Sequence, residues 1–378
     1  STMGQLMPPI MGAAAFIMAE FLGMAYSDVV ITAFIPAFVA YFALIYIVHL
    51  EALKLGLKGM NAEDLPKKWE TFVQGIHYLI PIFFLLYTLI VLRQSAASAA
   101  FNAIMLLMLL MLIQHPFRAL LAKEKITKEI LFSGFVDILA GMISGAKNMV
   151  PIAVATALAG IVVGTITLTG LGQVLLDVVE TLADGNIFAI LVLAALISII
   201  LGMGLPTTAN YIVMASLTAP VILTLAADNG YLVPAIAAHL FVFYFGIVAD
   251  ITPPVALAAY AGSAIAKANP MKTAFTASKL AIAVFIVPYV FCFNPAMLLI
   301  DTTPLKVVQI FITSLIGVFG LSSSLEGFLS VKMSVPVRVL MAAGGLMLID
   351  PSLMTDVVGI LLIVGCCVWQ TAQKKKTA

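Results

Sequence analysis

Long apolar runs separated by short polar breaks dominate the chain. Runs long enough to cross a bilayer, or nearly so, lie at about 29–48, 76–92, 99–114, 149–171, 186–203, 233–249, 280–300, 304–321 and 356–370. A shorter run near 337–349 needs neighbours to span, and Pro8 to Met24 has a helical pattern interrupted by Glu20, the mark of a tilted or partial span. A helix crosses the hydrocarbon core with roughly 20 apolar residues. The pattern therefore predicts an all-α integral membrane protein with room for about ten spans.

Composition agrees with the pattern. Of 378 residues 63% are hydrophobic and 10% charged, and the mean hydropathy is +1.15. A soluble fold cannot cover so much apolar surface with polar groups. Net charge is +1, which offers no basic face for nucleic acid. Cys292, Cys366 and Cys367 lie in apolar runs without metal-ligand spacing, so packing is their expected role.

Charge gathers in the breaks. One holds Lys54, Lys58, Lys67 and Lys68 between His49 and Glu70; another holds Arg118, Lys123, Lys125 and Lys128; the chain closes with Lys374, Lys375 and Lys376. Two spans separate the first two breaks, which puts both on one face, and the positive-inside rule makes that face cytoplasmic along with the tail. Segment 130–147 mixes Phe132, Phe135, Ile138 and Leu139 with Lys128, Glu129, Asp137 and Lys147. It predicts either an amphipathic helix, lying in the interface or bracing a moving part, or an ordinary polar connector.

Two stretches resemble one another. Pro8-Pro9-Ile10-Met11 and Pro253-Pro254-Val255-Ala256 each lead into small residues, then a polar break, then a span containing a proline, Pro36 in one and Pro288 in the other. Weak internal symmetry of this kind marks transporters built from repeated halves. About a hundred residues precede the second Pro-Pro and seven the first, so the repeat makes Ser1 an expected fragment boundary.

The most unusual stretch is Gly202-Met-Gly204-Leu-Pro206-Thr207-Thr208-Ala-Asn210-Tyr211. Two glycines and a proline in five residues cannot continue a helix. Backbone groups freed at membrane depth cost several kcal/mol each unless they face protein, water or a ligand. A helix starting at Thr207 would aim free N–H groups at an anion, and the preceding carbonyls would suit a hard cation such as sodium. The alternative is a Thr-capped turn between two spans. A second break, Asp250-Ile-Thr252-Pro253-Pro254, sets a carboxylate beside a hydroxyl and two prolines; an intramembrane acid is a functional candidate, an interfacial one merely solvated. In the first copy Gln5 stands before Pro8 and Pro9 where Asp250 stands in the second. His239 reads as a satisfied core histidine ahead of a proton carrier, and Glu20 and Asp137 as structural or interfacial.

These blocks, together with Gly4-Gln5-Leu-Met-Pro8-Pro9 and the loop beginning His49-Leu-Glu51-Ala-Leu-Lys54, resemble the large membrane subunit of TRAP transporters (tripartite ATP-independent periplasmic transporters). The similarity covers roughly residues 1–300 and is nearest to the TAXI subfamily, often a fused permease. It implies an elevator-type secondary transporter with inverted-type repeats, a re-entrant hairpin and broken helices. Small organic anions, mostly carboxylates, would arrive from an extracytoplasmic binding protein across a prokaryotic inner membrane, with sodium as coupling ion and no covalent cofactor. Thr207, Thr208, Asn210, Gln5, Pro8 and Pro9 are then the expected substrate contacts, and Gly202, Gly204, Pro206, Thr207, Asp250 and Thr252 the expected ion contacts. The family's first hairpin and its small four-helix subunit are expected ahead of Ser1. Many relatives outside the subfamily carry an acid near the position of Pro206; here the tip is neutral, which leaves the proton as alternative coupling ion.

The corresponding division is 1–48 for the remainder of a first transport repeat and 49–148 for scaffold spans and connector. A second transport repeat follows at 149–300, with its hairpin tip at 202–210, and C-terminal spans with a basic tail at 301–378. An enzyme is disfavoured: His49, His77, His115 and His239 form no His-Glu-x-x-His, and there is no Gly-x-Ser-x-Gly elbow. A channel needs a continuous polar lining, whereas these polar residues cluster at two breaks.

Overall fold

A computed structural model describes residues 2–59, 61, 65–121, 125, 127–348 and 353–377; the boundary expected at Ser1 and the charge of Lys123 lie outside the described residues. Among these the fold is all helical, with one isolated bridge between Phe328 and Lys332. In chain order the helices are α1 (Ala13–Leu22), α2 (Tyr26–Lys54), α3 (Lys68–Gly75), α4 (Leu79–Leu86), α5 (Ala96–Leu121), α6 (Lys128–Thr169), α7 (Leu171–Ala183) and α8 (Ile187–Gly202). There follow α9 (Thr207–Asp228), α10 (Ala235–Ala249), α11 (Leu257–Ala266), α12 (Pro270–Leu280), α13 (Ile282–Phe293), α14 (Pro304–Glu326), α15 (Val335–Met347) and α16 (Leu353–Thr377).

Among the described residues seven helices are long and apolar enough to cross a bilayer, with an eighth candidate in the pair Thr156–Thr169 and Leu171–Ala183, bent by 72°. The bend falls at Gly170, whose φ of 67° a side chain would resist. Several predicted runs are instead short helices. α8 has 16 residues and α10 has 15, about 24 and 22 Å at 1.5 Å per residue, less than the roughly 30 Å core. The run 280–300 leaves the helix at Asn294, whose side-chain oxygen accepts from the Ala296 N–H at 3.2 Å while Pro295 opens a 3-10 turn. Segment 130–147 is not a connector; it is the first half of the 42-residue α6.

The chain divides into two compact units. One comprises residues 1–22, 29–58 and 158–378. Its centre is α10, buried at every residue from Ile236 to Ala249, with α1, α8, α9 and α13 packed against it. α7 closes on α8 and α9 through Val179, Ala183, Ile190, Val221 and Leu225. Within the same unit α14, α15 and α16 pack together so closely that a Cβ on Gly345 would come within 2.7 Å of the Gly317 carbonyl oxygen; small residues let helix backbones touch where lipid supplies no hydrophobic drive. The other unit comprises 23–28 and 59–157. There α4 packs on α5, and His115 Nε2 lies 2.6 Å from Asp137 Oδ2, so Asp137 is tied across from α5 to α6.

Candidate ion and solute site

The chain unwinds between α8 and α9. Met203 is extended, Gly204 has a φ of 81°, and Pro206 is extended again, so the helix restarts only at Thr207. The first bond of α9 runs from the Asn210 N–H to the Pro206 carbonyl at 2.9 Å, and no side chain caps the helix start. The N–H groups of its opening residues therefore present their positive ends outward. Gly204 and Pro206 are exposed and Thr207 and Thr208 half-buried. Neither threonine hydroxyl has a hydrogen-bond partner among the described residues.

Asn210 anchors this break to α10. It is fully buried, and its amide nitrogen donates to the Gly246 carbonyl at 2.9 Å. Its side-chain oxygen has no hydrogen-bond partner among the described residues. The amide fits only because its neighbours are bare: a Cβ on Gly202 would lie 2.6 Å from that nitrogen, and one on Gly246 2.9 Å from it. A buried amide oxygen left unmatched costs about 1–3 kcal/mol, so an oxygen kept bare beside an opened helix fits a cation that takes oxygen ligands.

The second predicted break adjoins the first. A Cβ on Gly202 would meet the Ala249 Cβ at 3.0 Å, and one on Gly204 the Val255 Cγ1 at 3.9 Å, so the opened turn lies along residues 249–255. Asp250 ends α10, half-buried, with no ion pair among the described residues. The Thr252 hydroxyl donates to the Val248 carbonyl at 2.6 Å, which leaves its oxygen lone pairs free to accept. The Ile251 carbonyl accepts from the Ser278 hydroxyl of α12 at 3.0 Å and the Asp250 carbonyl from the Ala258 N–H at 3.0 Å.

Gln5, Pro8 and Pro9 occupy a turn of the same backbone design. Leu6 N–H reaches the Met3 carbonyl and Ile251 N–H the Val248 carbonyl, both at 3.0 Å; Met11 pairs with Met7 at 3.3 Å as Ala256 pairs with Thr252 at 3.2 Å. Met11 and Ala256 both have positive φ, 49° and 37°, and each turn opens a ten-residue helix, α1 or α11. In this register Gln5 matches Asp250. The two proline pairs are both cis. The Thr2–Gln5 turn packs against α10, and α1 against α9 and α10, so the first-copy residues join the tip through α10.

Sequence reasoning missed Gly246, although a glycine between Phe245 and Ile247 in so bulky a run is a visible signal of close approach. It also missed the Tyr211–His239 pair, with hydroxyl and Nδ1 2.7 Å apart and Phe21 of α1 edge-on to the Tyr211 ring at 6.3 Å. His239 is a core histidine with a partner. Glu326 went unremarked as well. Its side chain is buried at the end of α14, 3.0 Å from Lys54 Nζ and 2.8 Å from Lys279 Nζ, with Glu51 completing an alternating set of charges.

The model of the family described as Tripartite ATP-independent periplasmic transporter, DctM component, matches residues 1–305. The chain belongs to the DctM family. No curated protein matches it. A DctM component is the membrane component of TRAP secondary transporters, working with a periplasmic binding protein and a small membrane subunit. It is a transporter component and not an enzyme. The match covers both Pro-Pro turns, the α8–α9 break and α10, and stops as α14 begins.

Proposed function

We propose that this chain is the translocating subunit of an ion-coupled importer of small organic anions, carboxylates foremost, and that sodium is the coupling ion. The observation that carries the reading is the opened turn Gly202–Pro206 laid along residues 249–255, with the Asn210 oxygen, unpartnered among the described residues, behind it. Sodium would take carbonyl and hydroxyl oxygens here, from the Gly202–Pro206 turn, Thr207, Thr252 and the Asp250 carboxylate. The solute carboxylate would face the start of α9, where Thr207, Thr208 and uncapped N–H groups offer donors. Asn210 holds the break in place, and Gln5, Pro8 and Pro9 form the matching border from the first copy.

The coupling follows from these roles. A solute carboxylate brought to the opened turn adds a negative charge beside the half-buried Asp250 carboxylate; a cation held by the adjoining oxygens offsets it, so each ligand favours the state that binds the other. The paired turns support two structural repeats, and with them an elevator-type movement of the α8–α11 region. The loop His49 to Lys54 supports the TAXI subfamily, and the basic breaks support a prokaryotic inner membrane with that face cytoplasmic. Solute would be delivered by an extracytoplasmic binding protein. Asp250, a carboxylate without an ion partner among the described residues, supports proton coupling as the second reading.

The test is uptake by proteoliposomes containing the complete transporter and its binding protein, using a panel of carboxylates with imposed sodium or proton gradients. Sodium-driven uptake that disappears in the double variant Thr207→Ala/Thr208→Ala, with expression intact, is the expected result. Undiminished uptake by that variant removes the threonines from the mechanism; uptake driven by a proton gradient alone replaces sodium.

A further inference from the structure

The end of α14 carries a second site, built around an arginine. After Gly327 the chain turns back through a bridge between Phe328 and Lys332, and α15 begins at Val335. One turn into α15, Arg338 reaches over the end of α14: its Nε donates to the Ser324 carbonyl at 2.8 Å and its Nη2 to the Leu325 carbonyl at 3.3 Å, while the Ser324 hydroxyl donates back to the Arg338 carbonyl at 2.7 Å. The guanidinium is thereby fixed in orientation with only part of its five-hydrogen fork engaged. No carboxylate pairs with it among the described residues, since nearby Glu326 is held by Lys54 and Lys279.

In front of this guanidinium lies a pocket of about 200 Å³ lined by Ser324, Val335, Arg338, Val339 and Ala342. Val335 and Val339 are broadly exposed, as side chains facing acyl chains would be. The pocket thus joins a held cationic fork to an apolar, lipid-accessible wall. Its sidedness follows from the contacts. Glu326 meets Lys54, which opens the basic loop 49–70. α16 runs parallel to α14: Asp356 near its start hydrogen-bonds Gln309 near the start of α14 at 2.7 Å, and Cys366 Sγ lies 3.9 Å from the Val337 carbonyl at the start of α15. Lys374 therefore comes to the same end. By the positive-inside rule that end is cytoplasmic, where anionic lipids face basic pockets between helices.

We propose that this pocket binds the phosphate headgroup of an anionic membrane lipid. The unpaired edge of the Arg338 fork takes two phosphate oxygens, the geometry for which guanidinium is suited. Val335 and Val339 border the glycerol and first methylenes, and Lys332 adds a positive charge at the turn. The site lies beyond residue 305, outside the span shared with the family, and is independent of the ion and solute site.

The test uses the full chain purified in neutral detergent and stripped of lipid. Phosphatidylglycerol, phosphatidylcholine or inorganic phosphate is titrated in, with occupancy read by native mass spectrometry and stability by thermal unfolding. Phosphatidylglycerol is expected to bind and raise the unfolding midpoint at concentrations where the other two do neither. Arg338→Gln should weaken phosphatidylglycerol binding about tenfold, the loss of charge-assisted hydrogen bonds. Because that variant also uncaps α14, Ala342→Phe, which fills the pocket and leaves the capping bonds alone, provides the second arm and should weaken binding as much. Equal binding of phosphatidylcholine, equal binding of inorganic phosphate, or unchanged phosphatidylglycerol affinity in Ala342→Phe would each overturn the proposal.

Discussion

The Asn210 amide donates to the Gly246 carbonyl across 2.9 Å, joining the first turn of α9 to the last turns of α10. The bond is buried, and it fixes where α9 restarts relative to the second break. Through it a local feature of the sequence, a helix interrupted by glycine and proline, acquires a fixed place in the fold.

Asn210→Ala should destabilise the detergent-solubilised protein by on the order of 1 kcal/mol, as interhelical hydrogen bonds in membrane proteins do, and should lower uptake by far more than that loss implies. Thermal unfolding and proteoliposome uptake on the same preparations measure both. A variant that transports at the wild-type rate would show that the α8–α9 break needs no anchor.

Gly202→Ala and Gly246→Ala should each cost roughly 1–3 kcal/mol by overpacking, because a Cβ at either place would strike the Asn210 amide. In Asn210→Ala the nearest obstacle is gone, although the Ala249 Cβ stays 3.0 Å from a Cβ on Gly202, so the double variants Gly202→Ala/Asn210→Ala and Gly246→Ala/Asn210→Ala should lose less than the sum of their parts. A double-mutant cycle reads the coupling; strict additivity at both glycines would mean that the amide is not what keeps them bare.

The break itself was legible in the sequence because glycine and proline act locally: Gly202, Gly204 and Pro206 stop a helix whatever surrounds them. The Pro-Pro turns were legible for the same reason, and the register joining Gln5 to Asp250 follows from them. The partner of Asn210 was not, since Gly246 is 36 residues away and only packing chooses it. Span lengths were misjudged where an apolar run continues past a local stop, as at Asn294 and Pro295. The carboxylate of Glu326 follows three serines at the end of a span and reads as a solvated boundary; its burial depends on Lys54 and Lys279, which no local pattern links to it.

Glu326→Gln should cost about 2 kcal/mol, between the ~0–1 of an exposed ion pair and the ~3–5 of a fully buried one. Both lysines keep more than a third of their side-chain surface in the open. Lys54→Gln should cost less, because Lys279 still holds the carboxylate. The ordering of the two midpoints in thermal unfolding is the measurement, and a reversed order would assign the stabilisation to the Lys54–Glu51 pair at 3.4 Å instead.

Tyr211→Phe removes the hydroxyl from His239 and should cost about 0.5–1.5 kcal/mol while leaving ion-driven uptake near wild type, since the pair is buried and its polar atoms are taken up in fastening α9 to α10. Loss of uptake at unchanged stability would move His239 into the transport pathway.

The four charges of Glu51, Lys54, Lys279 and Glu326 bind together three stretches of chain that are distant in sequence: the end of α2, the end of α12 and the end of α14. Two of these stretches lie within the family match and the third beyond it. A chain cut between residues 305 and 326 would therefore do more than shed an appendage. It would strand two ammonium groups beside a single remaining carboxylate at a helix junction, and the exposed seam would have to recruit water or another anion to close.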